Sequence, residues 1–349
     1  MSTCILSYKP TGILRPRHPE HSTSTSGTVP LISTIMFQFD HSDFLPLDEL
    51  VKKKLATNTT ISVVIPTLNE ALTIGGIVAR AKKDLMEDVP LVDEIIVMDS
   101  LSTDATAEKA RAAGARVLSA DDGAFPGGNV SGKGAAIWKS LFAARGDIIV
   151  CIDADIVNFK SHFIYGLIGP FLRNSDIVFA KAYYDRPLAI GNNTYEKYGG
   201  RVTEILVRPL LSAFVPEIAH IYQPLSGEYA FRKGPIESIR FSSGYGVEIG
   251  LIFDIYKKFG LDTFAQVNMG SRRHRNRTVP ELGKMAFGIL QTLFRKLELE
   301  DVLALKVPMS EIMVSQGEGG LEETLIREIE LPPKTLVALP SLKPEEKTL

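Results

Sequence analysis

The sequence predicts an α/β fold, a mainly parallel sheet flanked by helices on both faces. Three observations point to it. Nearly all-apolar runs of strand length recur: "TISVVIP" (60–66), "VDEIIVMD" (92–99) and "DIIVCIDAD" (147–155). Segments with apolar residues at helical spacing separate them, as the crossovers of parallel strands buried on both faces require. Polar residues then gather where these runs end, at the carboxyl edge where open α/β sheets bind ligands.

Taken in order, residues 1–46 hold "HPEHSTSTSGTVP", a Ser/Thr/Pro/Gly tract without period, and read as a disordered leader. "LDELVKKKLA" (47–56) is a short helix. The first strand is stopped by Pro66, and "NEALTIGGIVARAKKDLM" follows with helical spacing. The second strand ends in Asp99, before a helix over 102–115 that Ser102 or Thr103 can cap. "RVLSA" (116–120) is a third strand, "GKGAAIWKSLFAARG" (132–146) a helix, and the run into Asp153 and Asp155 a fourth strand. Residues 181–300 alternate less clearly and read as an appended part of the same domain. The tail, 301–349, carries Glu, Lys and Pro and reads as partly mobile.

At 349 residues the chain can bury a full core, and 45% apolar with 23% charged residues is ordinary for a globular protein. A formal net charge of -2 lacks the electrostatic footprint of a nucleic-acid binder. Two cysteines, Cys4 and Cys151, make neither a disulfide framework nor zinc spacing and fit a reducing cytosol. No run reaches the roughly 18–20 apolar residues of a membrane helix, and the N-terminus lacks a signal peptide's order. The expectation is a cytoplasmic protein with no membrane partner.

Asp153 and Asp155 are like charges one residue apart at the end of a buried strand. Such a pair suits magnesium or manganese, with open positions for substrate phosphates; its bland alternative is a solvated turn. "GGNVSGKGAA" (127–136) nearly spells a P-loop, but Gly134 stands where the metal-binding Ser or Thr belongs, so a P-loop-like NTPase is the rival from another class. The gentler reading keeps the physics: glycines admit a phosphate and Lys133 adds charge at a helix start. "SRRHRNR" (271–277) is the densest basic spot, with arginines for a diphosphate and His274 as an imidazole that suits manganese. Its plain alternative is a solvated basic loop. "GGRVTEILVRPLL" (199–211) sets Arg201 and Thr203 at a helix start, a second anion-friendly place. Glu228 and Glu248 each follow a glycine turn in apolar surroundings, either as structural carboxylates or as acceptors for sugar hydroxyls.

"VVIPTLNE", "VMDSLSTD", "GKGAA" and "IDAD" resemble the nucleotide-sugar half of glycosyltransferases with the GT-A fold. "GGRVTEILVRPLL", "QPLSGEYA", "GYGVEIG", "AQVNMG" and "HRNR", in that order, resemble the glucosyl-3-phosphoglycerate synthase family of retaining enzymes. The match runs from about residue 47 to 300 and implies a GT-A-type, Rossmann-like catalytic domain there. Its nucleotide-sugar half would span about 60–180 and its acceptor half 181–300. The resemblance implies a nucleotide-diphosphate donor, UDP-glucose favoured, 3-phosphoglycerate as acceptor, Mg2+ or Mn2+, and a homodimer; a mannosyl donor or another acceptor is the near alternative. It assigns Pro66, Thr67, Leu68, Asn69, Glu70, Ser100, Lys133, Ala154 and Arg277 to the nucleoside diphosphate. Asp153 would face the nucleotide, Asp155 and His274 bind the metal, and Arg272 lie near the diphosphate. Tyr245, Gly246, Val247 and Glu248 would contact the sugar. Gly200, Arg201, Val202, Thr203 and Asn276 would hold the acceptor. Asp155, Glu248, Lys133 and Arg272 would then carry catalysis, by same-face attack unless Glu248 is a nucleophile. The chain departs from the family at Ala71, Leu101 and Ser226-Gly227, all in substrate-facing loops.

Overall fold

A computed structural model of the chain describes residues 36–120, 125–186, 188–190, 193–195, 200–273, 278–317 and 319–337. The first half alternates as its apolar pattern requires: β1 (Phe37–Asp40), α1 (Leu47–Ala56), β2 (Ile61–Thr67), α2 (Ile74–Lys82), β3 (Glu94–Asp99), α3 (Thr106–Ala112), β4 (Arg116–Ser119), α4 (Lys133–Ala143), β5 (Ile148–Cys151) and α5 (His162–Arg173). The second half adds β6 (Phe179–Asp185), the ribbon β7 (Leu188–Ile190) and β8 (Asn193–Tyr195), α6 (Arg208–Phe214), β9 (Tyr229–Arg232), the single turn α7 (Lys233–Ile236), β10 (Phe241–Ser242), α8 (Val247–Phe259) and β11 (Phe264–Ser271). The long α9 (Val279–Leu299), the hairpin β12 (Ile312–Gly317) and β13 (Gly320–Leu325), and β14 (Glu330–Leu331) complete it.

Eight strands form one sheet in the order β1-β11-β6-β9-β5-β2-β3-β4. Every pairing is parallel except those of β9, which runs antiparallel between β5 and β6. The second half therefore extends the sheet of the first. Alternate side chains of each strand feed two cores. Val64, Ile96, Ile149 and Cys151 pack under α4, α8 and α9, while Val63, Ile65, Val97 and Val150 pack under α2 and α5. Both faces are covered, which is why these strands carry so few polar residues.

Two expectations move. Ser102 does not cap the third helix: it is drawn to the Asp99 carboxylate, and α3 begins at Thr106. The leader boundary at residue 46 falls inside folded structure. β1 is the edge strand, paired from Phe37↔Ala265 to Asp40↔Asn268, and Asp40 caps the turn His41–Phe44. Phe44, 2% exposed, lies against α5 where Gly169 leaves no room for a methyl, a Cβ there standing 2.2 Å from the ring. Part of the described tail is packed as well, although the hairpin β12–β13 is largely exposed. β14 pairs with β10, and Trp138 donates to the Pro332 carbonyl at 2.8 Å. Residues 1–35 and 338–349 lie outside the described residues. Among the described residues no helix is long and apolar enough to cross a membrane.

Phe44→Ala should lower the unfolding free energy by about 3 kcal/mol, the scale for emptying a buried aromatic site. Urea titration checks it, and an unchanged midpoint would return residues 36–46 to the leader.

Candidate active site

Parallel strands β2, β3 and β5 end at one edge, and their loops are knitted there. Asp99, 8% exposed, accepts from Thr67 Oγ1 at 3.2 Å and from the Ser102 amide at 3.1 Å. Asn69 takes φ +58° and joins the two loops, its amide donating to Ser102 Oγ at 2.9 Å and its Oδ1 accepting from the Thr103 amide at 2.8 Å. The Glu70 amide donates to Thr106 Oγ1 at 2.8 Å, and Thr73 Oγ1 donates to the Ala154 carbonyl. Leu101 holds φ +60°, a conformation glycine adopts more easily, and its side chain is exposed. Pro66–Glu70 and Ser100 thus form one rim with Ala154 beneath it.

Inside that rim lies a cage of alternating charge. Lys133, first residue of α4, places Nζ 2.6 Å from Asp153 Oδ1 and 2.7 Å from Glu248 Oε1. Arg272, just past β11, sets Nη2 3.0 Å from Asp153 Oδ2, 2.8 Å from Asp155 Oδ1 and 3.1 Å from Glu228 Oε1. Tyr184 donates its hydroxyl to Glu228 Oε2 and accepts from Arg186 Nη2 at 2.9 Å. Glu228 is fully buried, Arg272 is 3% exposed and Glu248 4%. Glu228 reaches this edge because β9 runs against its neighbours and brings its amino end here.

The electrostatics follow from burial opposed by pairing. Burial works to raise the Asp153 carboxyl, but Lys133 and Arg272 hold it well below the usual carboxylate range. Burial works against the Lys133 ammonium, and Asp153 and Glu248 raise it regardless. For Glu228 burial prevails over Arg272, and the carboxyl is pushed up. Below the cage the fully buried Lys181 donates to the Ser226 carbonyl, its Nζ 4.6 Å from the Tyr229 ring centre. Burial pushes its ammonium down from 10.5 to about 7.

Gly134 is explained by packing. A Cβ there would stand 1.9 Å from the Ser242 carbonyl, and the neighbouring Ala135 amide donates to the Ser243 carbonyl at 2.8 Å. The glycine brings α4 against the strand before α8, so Lys133 meets Glu248. Gly227 serves likewise, since a Cβ would meet Asp153 Oδ1 at 2.1 Å.

The donor chemistry fits a divalent cation. Asp153 and Asp155 turn one oxygen each toward a single cationic centre, here Arg272 Nη2, and carboxylate oxygens are what magnesium and manganese take. Among the described residues no group of three His, Cys, Asp or Glu side chains is disposed to hold a metal. His274, Asn276 and Arg277 lie outside the described residues. Of the acceptor residues, Gly200 takes φ +87° and Arg201, Val202 and the buried Thr203 lead into a five-residue helical stretch, Thr203–Val207, that continues as α6. Tyr245 is 38% exposed, and Gly246 caps α8, whose first turn holds Val247 and Glu248. Reading the sequence missed Lys181, Tyr184, Arg186 and the tail's Glu328; a buried polar residue in an apolar strand was the only signal for the first two.

The Glycosyl transferase family 2 pattern matches residues 62–193. The glucosyl-3-phosphoglycerate synthase of Petrotoga mobilis is 42% identical over 309 residues, covering 87% of this chain and 94% of that protein. The chain belongs to the glucosyl-3-phosphoglycerate synthase family. Among solved structures, the Mycobacterium tuberculosis family enzyme in complex with Mn2+, UDP-glucose and phosphoglyceric acid superposes with a TM-score of 0.75 at 39% identity, covering 86% of this chain and 98% of that one. Mannosyl-3-phosphoglycerate synthase from Rubrobacter xylanophilus superposes with a TM-score of 0.78 at 35% identity, covering 86% and 96%. The α/β sheet, its helical cover and the GT-A-type fold are those of this family.

The buried Lys181 sets a pH dependence. Between pH 7 and 10.5 the folded chain has released a proton that the unfolded chain keeps, so this group adds stability as pH rises through that window. Below pH 7 its burial penalty stands in full. Lys181→Met should therefore gain on the wild type most at pH 6 and least at pH 9 in urea titrations. A pH-independent gap would show that Lys181 titrates as an ordinary lysine.

Proposed function

We propose that this chain transfers glucose from UDP-glucose to the free hydroxyl of 3-phosphoglycerate, releasing UDP and retaining configuration at the anomeric carbon. One observation carries the reading: Asp153 and Asp155 converge on one cationic centre at the strand edge of a chain 42% identical to a glucosyl-3-phosphoglycerate synthase along nearly its whole length. Pro66–Glu70, Ser100, Ala154, Lys133 and Arg277 hold the nucleoside diphosphate, and Asp153 faces the nucleotide. Asp155 and His274 hold Mg2+ or Mn2+, which supplies Lewis-acid stabilisation of the departing diphosphate. Tyr245, Gly246, Val247 and Glu248 receive the hexose. Gly200–Thr203 with Asn276 take the acceptor, whose phosphate and carboxylate suit a helix start and an arginine.

In the transfer the acceptor oxygen bonds to the anomeric carbon, the bond from that carbon to the diphosphate breaks, and the hydroxyl proton passes to the departing diphosphate oxygen. Arg272 adds positive charge at that leaving group. Attack from the leaving-group face is supported by Glu248, whose Oε1 is tied to Lys133 at 2.7 Å as a carboxylate already paired, a poor free nucleophile. In this role Glu248 orients Lys133 and accepts from sugar hydroxyls. A homodimer acting in the cytoplasm completes the reading; light scattering at about twice the chain mass would support the dimer, and a monomer would remove it.

UDP release from UDP-glucose should require both 3-phosphoglycerate and Mg2+ or Mn2+. Asp155→Ala should lower it at least about a hundredfold, the scale for losing a group at a developing charge, with the circular dichroism unchanged. Retained activity would refute the metal assignment. The Rubrobacter likeness favours one second reading, and preference for a mannosyl donor over UDP-glucose would establish it.

A further inference from the structure

The loop before α8 is held by the tail. Glu328 is 5% exposed, and its carboxylate accepts from the Gly244 amide at 2.8 Å on Oε2 and from the Gly246 amide at 3.2 Å on Oε1. The Tyr245 amide faces the same carboxylate. Consecutive backbone amides aimed at one anion form a nest, and here the anion is the protein's own side chain. Gly244 fits this arrangement because a Cβ would meet Glu328 Oε1 at 2.5 Å.

The contact is braced on both sides. Ser243 donates its amide to the Ile329 carbonyl at 2.8 Å, and the Ile329 amide returns to Ser243 Oγ at 2.9 Å. From α9, Gln291 Oε1 accepts the Glu328 amide at 3.1 Å and Arg295 Nη2 donates to the Glu328 carbonyl at 2.8 Å. A continuous line of polar contacts thus runs from α9 through Glu328 to residues 243–246. The next turn carries Glu248, which reaches Lys133 and through it Asp153.

We propose that Glu328 is the positioning residue for the transferred hexose. It sets the 243–246 loop so that Tyr245 and Glu248 are arranged before the donor arrives. The inference rests on the reading above, in which those residues meet the sugar. Without the carboxylate, a loop with glycines at 244 and 246 and three unanswered amides would sample many conformations, and the donor sugar would have to order it. Of the residues proposed for the nucleoside diphosphate, Pro66–Glu70, Ser100 and Ala154 follow β2, β3 and β5 and lie outside this contact, while Lys133 meets it only through Glu248 and the start of α4. Loss of Glu328 therefore touches transfer and leaves nucleotide binding in place.

Glu328→Gln keeps the size but offers one acceptor oxygen to the loop; Glu328→Asp keeps both oxygens on a shorter stem. For Glu328→Gln, kcat with UDP-glucose and 3-phosphoglycerate should fall at least about tenfold while the Kd of UDP with Mn2+ changes less than about twofold. Amide hydrogen exchange of a peptide covering 243–247 should accelerate at least about tenfold, and Glu328→Asp should recover part of both losses. Faster exchange with normal kcat would make Glu328 purely structural, and equal loss of UDP affinity would make its effect general. Unchanged exchange would remove the clamp itself; each of these three overturns the inference. A wild type that binds UDP but moves no glucose would instead overturn the function proposed above, and exchange in the two variants would still decide whether Glu328 holds the loop.

Discussion

Asp153, Asp155, Glu228 and Glu248 are drawn together at one edge of the sheet, and carboxylates so close repel one another unless cations stand among them. Lys133 and Arg272 provide those cations, each touching at least two carboxylates from different elements. The cage is therefore a joint as much as a site. It fixes the start of α4, the end of β5, the start of β9, the first turn of α8 and the end of β11 to one another. Taking out one member would strand a buried charge, which costs more than the pair was worth.

That joint explains features of the sheet that hydrophobic burial alone does not require. The direction of β9 is one of them. Running antiparallel, it delivers Glu228 to the carboxyl edge of its neighbours and closes Arg272 on its third side. The same charge pattern suits the chemistry. A site that pairs a strand-end aspartate couple with an arginine already holds the elements needed to exchange one cationic partner for another and to meet a diphosphate with positive charge.

The alternating first half of the chain was legible because its signals are local. An apolar run ending in Asp99 or in Asp153–Asp155 announces both a strand and its polar carboxyl end within ten residues. The edge strand Phe37–Asp40 was missed because it is four residues long and follows a tract of low complexity; its stability comes from β11, more than two hundred residues away. The tail's contacts were invisible for the same reason. Glu328 sits in an ordinary charged stretch, and only the approach of Ser243–Gly246 makes its carboxylate a fixture. Ser102 shows the opposite error, a good local cap captured by a stronger neighbour, Asp99.

By itself the sequence determined the α/β class, the strand ends where polar residues gather, and the family, because apolar periodicity and short motifs are written in contiguous residues. Only the tertiary structure decided which charges neutralise which. Lys133 pairs with Glu248 across 115 positions and Arg272 with Asp155 across 117, and the free energy of such pairs depends on distance and burial, neither of which spacing along the chain encodes. The same physics placed Glu328 under the 243–246 loop: a buried carboxylate must find donors, and the fold supplies them as the amides of Gly244 and Gly246, more than eighty positions earlier in the chain.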